Sequence, residues 1–215
     1  MGLDTPKQFL LLDGLPVMMH AIRAFHKSTS APRIIVVIHP SLRDAWPALC
    51  EKHAFAVPHV VTDGGETRFQ SVKNGLRKIQ STEADLAHCT IAVHDAARPL
   101  VAPALIDKVY AQAEQTGAAA LASRSNDSVR LTSGNERKNN AFPRSRVYLM
   151  QTPQTFNGAV LCNAYEQPDD ASLTDDASVV EKSGHPITLV DGDTRNIKIT
   201  LPGDLRIAEI LLRNQ

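Results

Sequence analysis

Thr90-Ile91-Ala92-Val93-His94-Asp95-Ala96-Ala97-Arg98-Pro99 is the stretch that decides how the rest of the chain is read. Ile91-Ala92-Val93 is a short continuous apolar run, the pattern of a strand covered on both faces in a parallel sheet. It ends in a carboxylate and, three residues on, a guanidinium. In an open parallel sheet, ligands bind beyond the carboxyl ends of the strands, where loops and helix N-termini offer unpaired N–H groups to anions. Asp95 and Arg98 therefore stand at the mouth of a sheet. Asp95 is a candidate ligand for Mg²⁺, a hard dication that often keeps only one or two protein carboxylates beside substrate phosphates. The competing reading, an Asp95–Arg98 pair closing a turn, has the same spacing, and both stay open.

Outward from this stretch, short β-type runs alternate with longer helical ones, which predicts an α/β fold. Further strands are expected at Ile34 to Ile38, Val57 to Thr62, Ala118 to Ala122, Tyr148 to Gln151 and Ile187 to Val190. Pro16 to Phe25 places Val17, Ala21 and Phe25 on one helical face, with Pro16 suited to a first helical position. Ser71 to Ile79 follows a Thr67/Gln70 pair with the spacing of a capping box. More helices are expected near Leu105 to Gln115, Asp175 to Lys182 and Asp204 to Leu212. From Ser123 to Arg146 the chain is polar and rich in Asn, Ser and Arg, which suits either a mobile surface loop or a protruding arm used for association.

Composition narrows the function classes. The chain has 215 residues, 43% of them hydrophobic, which is enough for one sizeable core. With 23 basic and 23 acidic side chains there is no overall field to attract nucleic acid or an anionic membrane, so an anion must be met by a local site. No apolar run approaches the ~20 residues of a membrane span, and the start carries no signal-peptide pattern. Cys50, Cys89 and Cys162 are odd in number and widely spaced, which argues against a disulfide framework or a zinc site and suits inert buried thiols in a reducing cytosol. The eight histidines show no metal-ligand spacing, and no Ser or Cys lies in a nucleophile motif.

Other motifs follow expected strands. Gly64-Gly65-Glu66-Thr67-Arg68 opens a helix, so Gly64 and Gly65 are candidates for close backbone approach to a base or ribose. Pro6-Lys7-Gln8 puts a lysine near the first helix. Asn196-Ile197-Lys198-Ile199-Thr200 reads as a short strand passing into a capped helix, with Lys198 within reach of a phosphate. Thr174-Asp175-Asp176-Ala177-Ser178 reads as a helix N-terminus with Thr174 as cap and two acids favoured by the dipole. Each lysine is equally readable as solvated surface, and the double glycine as an ordinary turn.

Taken in order, PKQFLLLDGLPVMMHAI, DGGETRFQSV, HDAARP, TPQTF, TDDAS and NIKITLPGDL resemble the 2-C-methyl-D-erythritol 4-phosphate cytidylyltransferase family from Lys7 almost to the C-terminus. The resemblance implies a Rossmann-like nucleotidyltransferase fold with a mostly parallel sheet and a protruding β-arm at about 123–146, in a single domain. It implies Mg²⁺-dependent attack of a polyol phosphate on the α-phosphate of CTP with release of pyrophosphate, in a cytoplasmic homodimer joined through the arm. By motif, Lys7 matches the lysine that neutralises the triphosphate, and Asp95 the residue at the metal and polyol, with Arg98 beside it. Gly65, Glu66 and Ser71 match the cytidine-binding segment. Ser128 and Arg144 fall where the arm supplies contacts to the polyol phosphate across the dimer, and Thr152 and Lys198 match the remaining substrate and phosphate positions.

One departure lies at the N-terminus. The family begins with an apolar strand and a Gly-rich loop ending Arg-Met-Gly, whereas this sequence opens at Met1-Gly2; the expectation is that an upstream strand and loop are missing from it. Two other readings remain. Ribitol 5-phosphate cytidylyltransferases share nearly all these blocks, although they more often read HDAVRP than HDAARP. A nucleotide-binding relative without catalysis is the other.

Overall fold

The computed structural model describes residues 6–214; the expectations attached to Met1-Gly2 lie outside them. The chain runs through a hairpin of β1 (Leu11–Leu12) and β2 (Leu15–Pro16), α1 (Val17–Lys27), β3 (Ile35–Ile38), α2 (Ala45–Lys52), β4 (Val60–Asp63) and α3 (Arg68–Gln80). It continues through β5 (Thr90–Val93), α4 (Pro103–Thr116), β6 (Ala118–Arg124), β7 (Val129–Thr132), β8 (Asn139–Phe142) and β9 (Tyr148–Asn157). Then come α5 (Gly158–Ala164), α6 (Asp176–Lys182), β10 (Thr188–Asp191) and α7 (Pro202–Arg213). All the expected strands up to β10, and all five expected helices, are present with shifted ends.

The main sheet has the order β10-β6-β9-β5, and β3 and β4 form a separate parallel pair. Because β9 is antiparallel to both β5 and β6, while β10 is parallel to β6, three of the four strands run one way and β9 runs against them. The sheet is mixed through this single strand. β9 is also longer than Tyr148 to Gln151, and it carries Pro153. A proline donates nothing to a ladder, and it falls where the β6–β9 register breaks, between the pairs Ala120–Gln154 and Ala122–Met150.

Both faces of the sheet are covered, as the apolar runs require. Ala119 and Leu121 of β6 pack with Ile106, Val109 and Ala113 of α4. Ala118 and Phe156 pack with Leu76, Leu161, Tyr165, Val179 and Val180 from α3, α5, α6 and the residue after α5. A third cluster surrounds Trp46, which is 1% exposed and flanked by Phe9 and Phe55. Cys162 is buried, but Cys50 and Cys89 are only partly so; burial raises all three thiols above their ordinary range. Among the described residues, no helix is long and apolar enough to cross a membrane.

Several local expectations are corrected. Asn196 to Thr200 is not a strand: Ile199 N–H bonds Ala97 O at 2.8 Å, but the Asn196 carbonyl is taken by the Arg98 guanidinium and no ladder forms. The cap of α6 is Asp175, in a reciprocal box with Ser178, rather than Thr174. Thr67 does cap α3 through Gln70 N–H, but the Gln70 amide oxygen accepts from Glu66 N–H, one residue before the position a capping box uses. Of the two readings left open for Ser123 to Arg146, the hairpin agrees with the arm: β7 and β8 pair antiparallel from Val129–Phe142 to Thr132–Asn139, in a two-stranded sheet of their own.

Candidate functional site

β5 ends at Val93, and the next six residues make a tight loop whose bonds aim Asp95. Arg98 N–H donates to Asp95 O at 2.9 Å. The His94 ring bonds Arg98 O through Nε2 at 3.0 Å, and since a carbonyl only accepts, Nε2 carries the hydrogen. Nδ1 is then an acceptor, and the Thr152 hydroxyl donates to it at 3.1 Å while accepting from Asp95 N–H at 3.0 Å. Burial pushes the His94 pKa down to about 4, with the edge of Phe25 packed against the ring, so the imidazole is neutral and this tautomer holds. The hydroxyl of Thr152 thus faces inward, onto the loop.

The Asp95 carboxylate points into a ring of cations. Lys198 Nζ lies 2.9 Å from Oδ2, Arg98 Nε 3.6 Å from the same oxygen, and Arg68 Nε 3.7 Å from Oδ1. Burial alone would raise the Asp95 pKa, but the bond to Lys198 and the charges of Lys198, Arg68 and Arg98 outweigh it and hold the carboxyl below its usual range. Arg98 itself is lowered by burial, against the pull of Asp95. Its two terminal nitrogens bond Asn196 O at 2.8 Å and Met150 O at 3.4 Å, which splints the loop to β9 and to the Lys198 segment. The Asp95–Arg98 pair therefore exists, as one spoke of a larger cluster.

Lys7, Asp95 and Lys198 line one cavity of about 180 Å³, with Phe9, Met18 and Ile38 among its apolar walls. Lys7 reaches it from a short 3₁₀ turn, Lys7–Phe9, whose Phe9 ring stacks on Trp46. The Gly64-Gly65 turn leaves the end of β4, with Gly64 N–H bonded to Ile38 O at 2.8 Å and Gly65 N–H to Ser71 Oγ at 3.0 Å. A Cβ on Gly65 would sit 2.4 Å from Gln70 Cβ, so glycine is required there by packing. The Glu66 side chain is exposed on this turn. Ser128 and Arg144 are exposed at the base of the arm, where Arg144 bonds Asn126 O at 2.8 Å, and neither lines the cavity within one chain.

Two participants escape a reading of the sequence by motif. Arg68 is the first residue of α3, where a cation opposes the helix dipole, and that misplacement was the available signal. Asp176, in the first turn of α6, is fully buried and grips Arg68. No local pattern separates it from an ordinary first-turn acid.

As to Mg²⁺, among the described residues no group of three or more metal-ligating side chains is assembled. Asp95 is the lone carboxylate among the described residues that line the cavity. That donor set fits a magnesium ion carried mainly by substrate phosphates, and no closed protein cage.

Lys7 and Lys198 on the cavity wall, with Arg68 and Arg98 behind Asp95, outnumber the two carboxylates Asp95 and Asp176 and leave the mouth of this sheet with an excess of positive charge. An α/β sheet with such charge at the carboxyl end of β5, beside a Gly-Gly turn opening a helix, has the design of a nucleotidyltransferase. A family model described as IspD, 2-C-methyl-D-erythritol 4-phosphate cytidylyltransferase, matches residues 1–214, and the chain belongs to that family. A relative of that name from Bacteroides thetaiotaomicron is 44% identical over 99% of this chain and 93% of its own length. A crystal structure of 4-diphosphocytidyl-2C-methyl-D-erythritol synthase matches with a TM-score of 0.82 at 32% identity, over 96% of this chain and 95% of that one. The cytidylyltransferase of Thermus thermophilus matches with a TM-score of 0.75 at 30% identity, over 97% and 94%.

Proposed function

We propose that this chain transfers CMP from CTP to 2-C-methyl-D-erythritol 4-phosphate, a step in isoprenoid precursor synthesis. A phosphate oxygen of the polyol attacks the α-phosphorus of CTP, the α–β P–O bond breaks, and pyrophosphate leaves with the electron pair. The observation that carries the reading is the convergence of Lys7, Lys198 and Asp95 on one cavity at the end of β5. Such a transfer asks little covalent work of a protein; its rate comes from alignment of the reactants and compensation of charge on the transferring phosphate. Lys7 and Lys198 meet that charge, and Asp95, with Arg98 and Thr152 holding its loop, orients the polyol side. Mg²⁺, held by Asp95 together with phosphate oxygens, supplies further charge neutralisation when bound. The Gly64-Gly65-Glu66 turn and Ser71 receive cytidine.

Incubation with CTP, Mg²⁺ and either 2-C-methyl-D-erythritol 4-phosphate or ribitol 5-phosphate, followed by mass spectrometry of the CDP-linked product, tests the assignment. Product with the methylerythritol substrate is expected. Turnover confined to ribitol 5-phosphate, or CTP binding with no pyrophosphate release, overturns it.

Gly65→Ala raises the KM for CTP by about tenfold or more with a smaller change in kcat, since the turn must open to admit the new Cβ beside Gln70 and the lost contact is one made by bound nucleotide. Steady-state titration of CTP checks it, and an unchanged KM removes the turn from the nucleotide site.

Ser128 and Arg144 act across a dimer formed through the arm. A lone two-stranded hairpin is marginal in water, and β7–β8 exposes Leu131 at 53%, so pairing with a second copy gives it order and cover. Excision of residues 125–145 yields a monomer in sedimentation that binds polyol phosphate poorly; a dimer of unchanged stability would place the interface elsewhere. Three free thiols suit a reducing cytosol as the working compartment.

A further inference from the structure

We propose that Asp176 is a positioning residue of the reaction, acting through Arg68 on Asp95, with Tyr165 as its brace. The proposal rests on the reading that Asp95 belongs to the reacting site. Asp176 is 0% exposed. Its Oδ1 accepts from Tyr165 O–H at 2.5 Å and from Arg68 Nη1 at 3.1 Å, and its Oδ2 is gripped by Arg68 Nη2. Both terminal nitrogens of Arg68 are therefore committed to Asp176, which leaves Nε in ion-pair contact with Asp95 Oδ1 at 3.7 Å. One planar guanidinium joins α6 to the metal- and polyol-side carboxylate, and it starts from the residue that follows the Gly64-Gly65-Glu66-Thr67 turn.

Stability does not account for this arrangement. A buried carboxylate is costly to desolvate even when paired, and well-packed apolar residues in place of such a pair are often as stable or more so. Arg68 also sits at the wrong end of a helix for a cation. Burial alone would lower the Arg68 pKa, yet the Asp176 charge drives it above its ordinary range, so the guanidinium stays charged while its two bonds to Asp176 make it bidentate. The Tyr165 hydroxyl is raised by burial and by Asp176, and stays a donor. A fixed fork of this kind holds direction better than a flexible ammonium. What it directs is Asp95, opposite the pull of Lys198 on the other oxygen. Asp95 is thereby held between Arg68 on one oxygen and Lys198 and Arg98 on the other, which is how a reacting group is kept within the narrow geometry that rate requires.

The test compares Asp176→Asn, Arg68→Ala, the two combined, and Asp95→Asn, with kcat and KM for each substrate from pyrophosphate release and a urea midpoint for each variant. Asp176→Asn is expected to lower kcat by about 10- to 100-fold with the KM for CTP within about threefold, the mark of an interaction that matters in the transition state. Arg68→Ala is expected to match it, and the combined variant to be no slower than Arg68→Ala alone, because the two residues act as one unit. Arg68→Lys does not rescue, since one ammonium cannot hold Asp176 with two donors and still face Asp95. If Asp176→Asn does not fold, Arg68→Met with Asp176→Leu removes both charges at similar volume; it is expected to keep the wild-type urea midpoint and show the kcat of Arg68→Ala. A folded Asp176→Asn or Met/Leu variant with wild-type kcat, or losses that multiply in the combined variant, overturns the proposal while a slow Asp95→Asn leaves the site reading standing. A wild-type Asp95→Asn overturns the site reading, and the proposal with it.

Discussion

Asp95→Ala lowers kcat by roughly 10²- to 10³-fold, the usual scale for loss of one preorganised electrostatic group. The carboxylate is the one negative charge among the described residues lining the cavity, and its removal leaves Lys198, Arg98 and the Nε of Arg68 without the group around which they are arranged. Lys198 then loses its partner, while Arg68 keeps Asp176 and Arg98 keeps Asn196 O and Met150 O, and the polyol side of the proposed site loses its orienting anion. The carboxyl titrates below its usual range, so the effect is present unchanged across neutral pH. The loop itself survives, because Asp95 enters its hydrogen bonds through backbone N–H and C=O groups that alanine keeps. The measurement is pyrophosphate release at saturating CTP and polyol phosphate across a Mg²⁺ titration, with circular dichroism as the check on folding. A rate near wild type at every Mg²⁺ concentration would show that the reaction centre lies elsewhere.

Lys7→Ala is expected to cost a similar factor, roughly 10²–10³ in kcat, through loss of the charge that meets the triphosphate as pyrophosphate departs. Its anchor is independent of the charge: Phe9 stacks on Trp46 with ring centroids 6.1 Å apart, and Phe9 N–H bonds Pro6 O at 2.9 Å. The 3₁₀ turn therefore persists in the variant, and an unaltered urea midpoint should accompany the lost rate. Lys7 and Lys198 reach the same cavity from opposite ends of the sequence, so a combined variant whose losses do not simply multiply would place both on one phosphate chain. An active Lys7→Ala enzyme would return this lysine to the solvated surface.

The layered fold was readable because its signals are local. Continuous apolar runs such as Ala118 to Ala122 belong to strands covered on both faces, and the structure buries all five of those residues. Helical spacing in Leu105 to Gln115 and a Thr67 cap before α3 are likewise properties of a few neighbouring residues. Local signals failed where a distant group overrode them. Asn196 to Thr200 has strand composition, but Arg98 takes its backbone oxygen, and the strand expected at Tyr148 to Gln151 runs on through Pro153 because the β6–β9 register breaks there.

By itself the sequence determined that this is an α/β protein with chemistry after β5, and through its motif series it placed Lys7, Asp95 and Lys198 among the candidates. Composition and periodicity report on burial, which suffices for the fold class, whereas Lys7, Asp95 and Lys198 came from the resemblance carried by the motifs. Only the tertiary structure decided which charges meet. Arg68 and Asp176 lie 108 positions apart, and Asp95 and Lys198 are separated by most of the C-terminal half, so no spacing rule links them. A Coulomb interaction depends on distance in space and on the water excluded between the charges, and both are set by how the helices pack on the sheet.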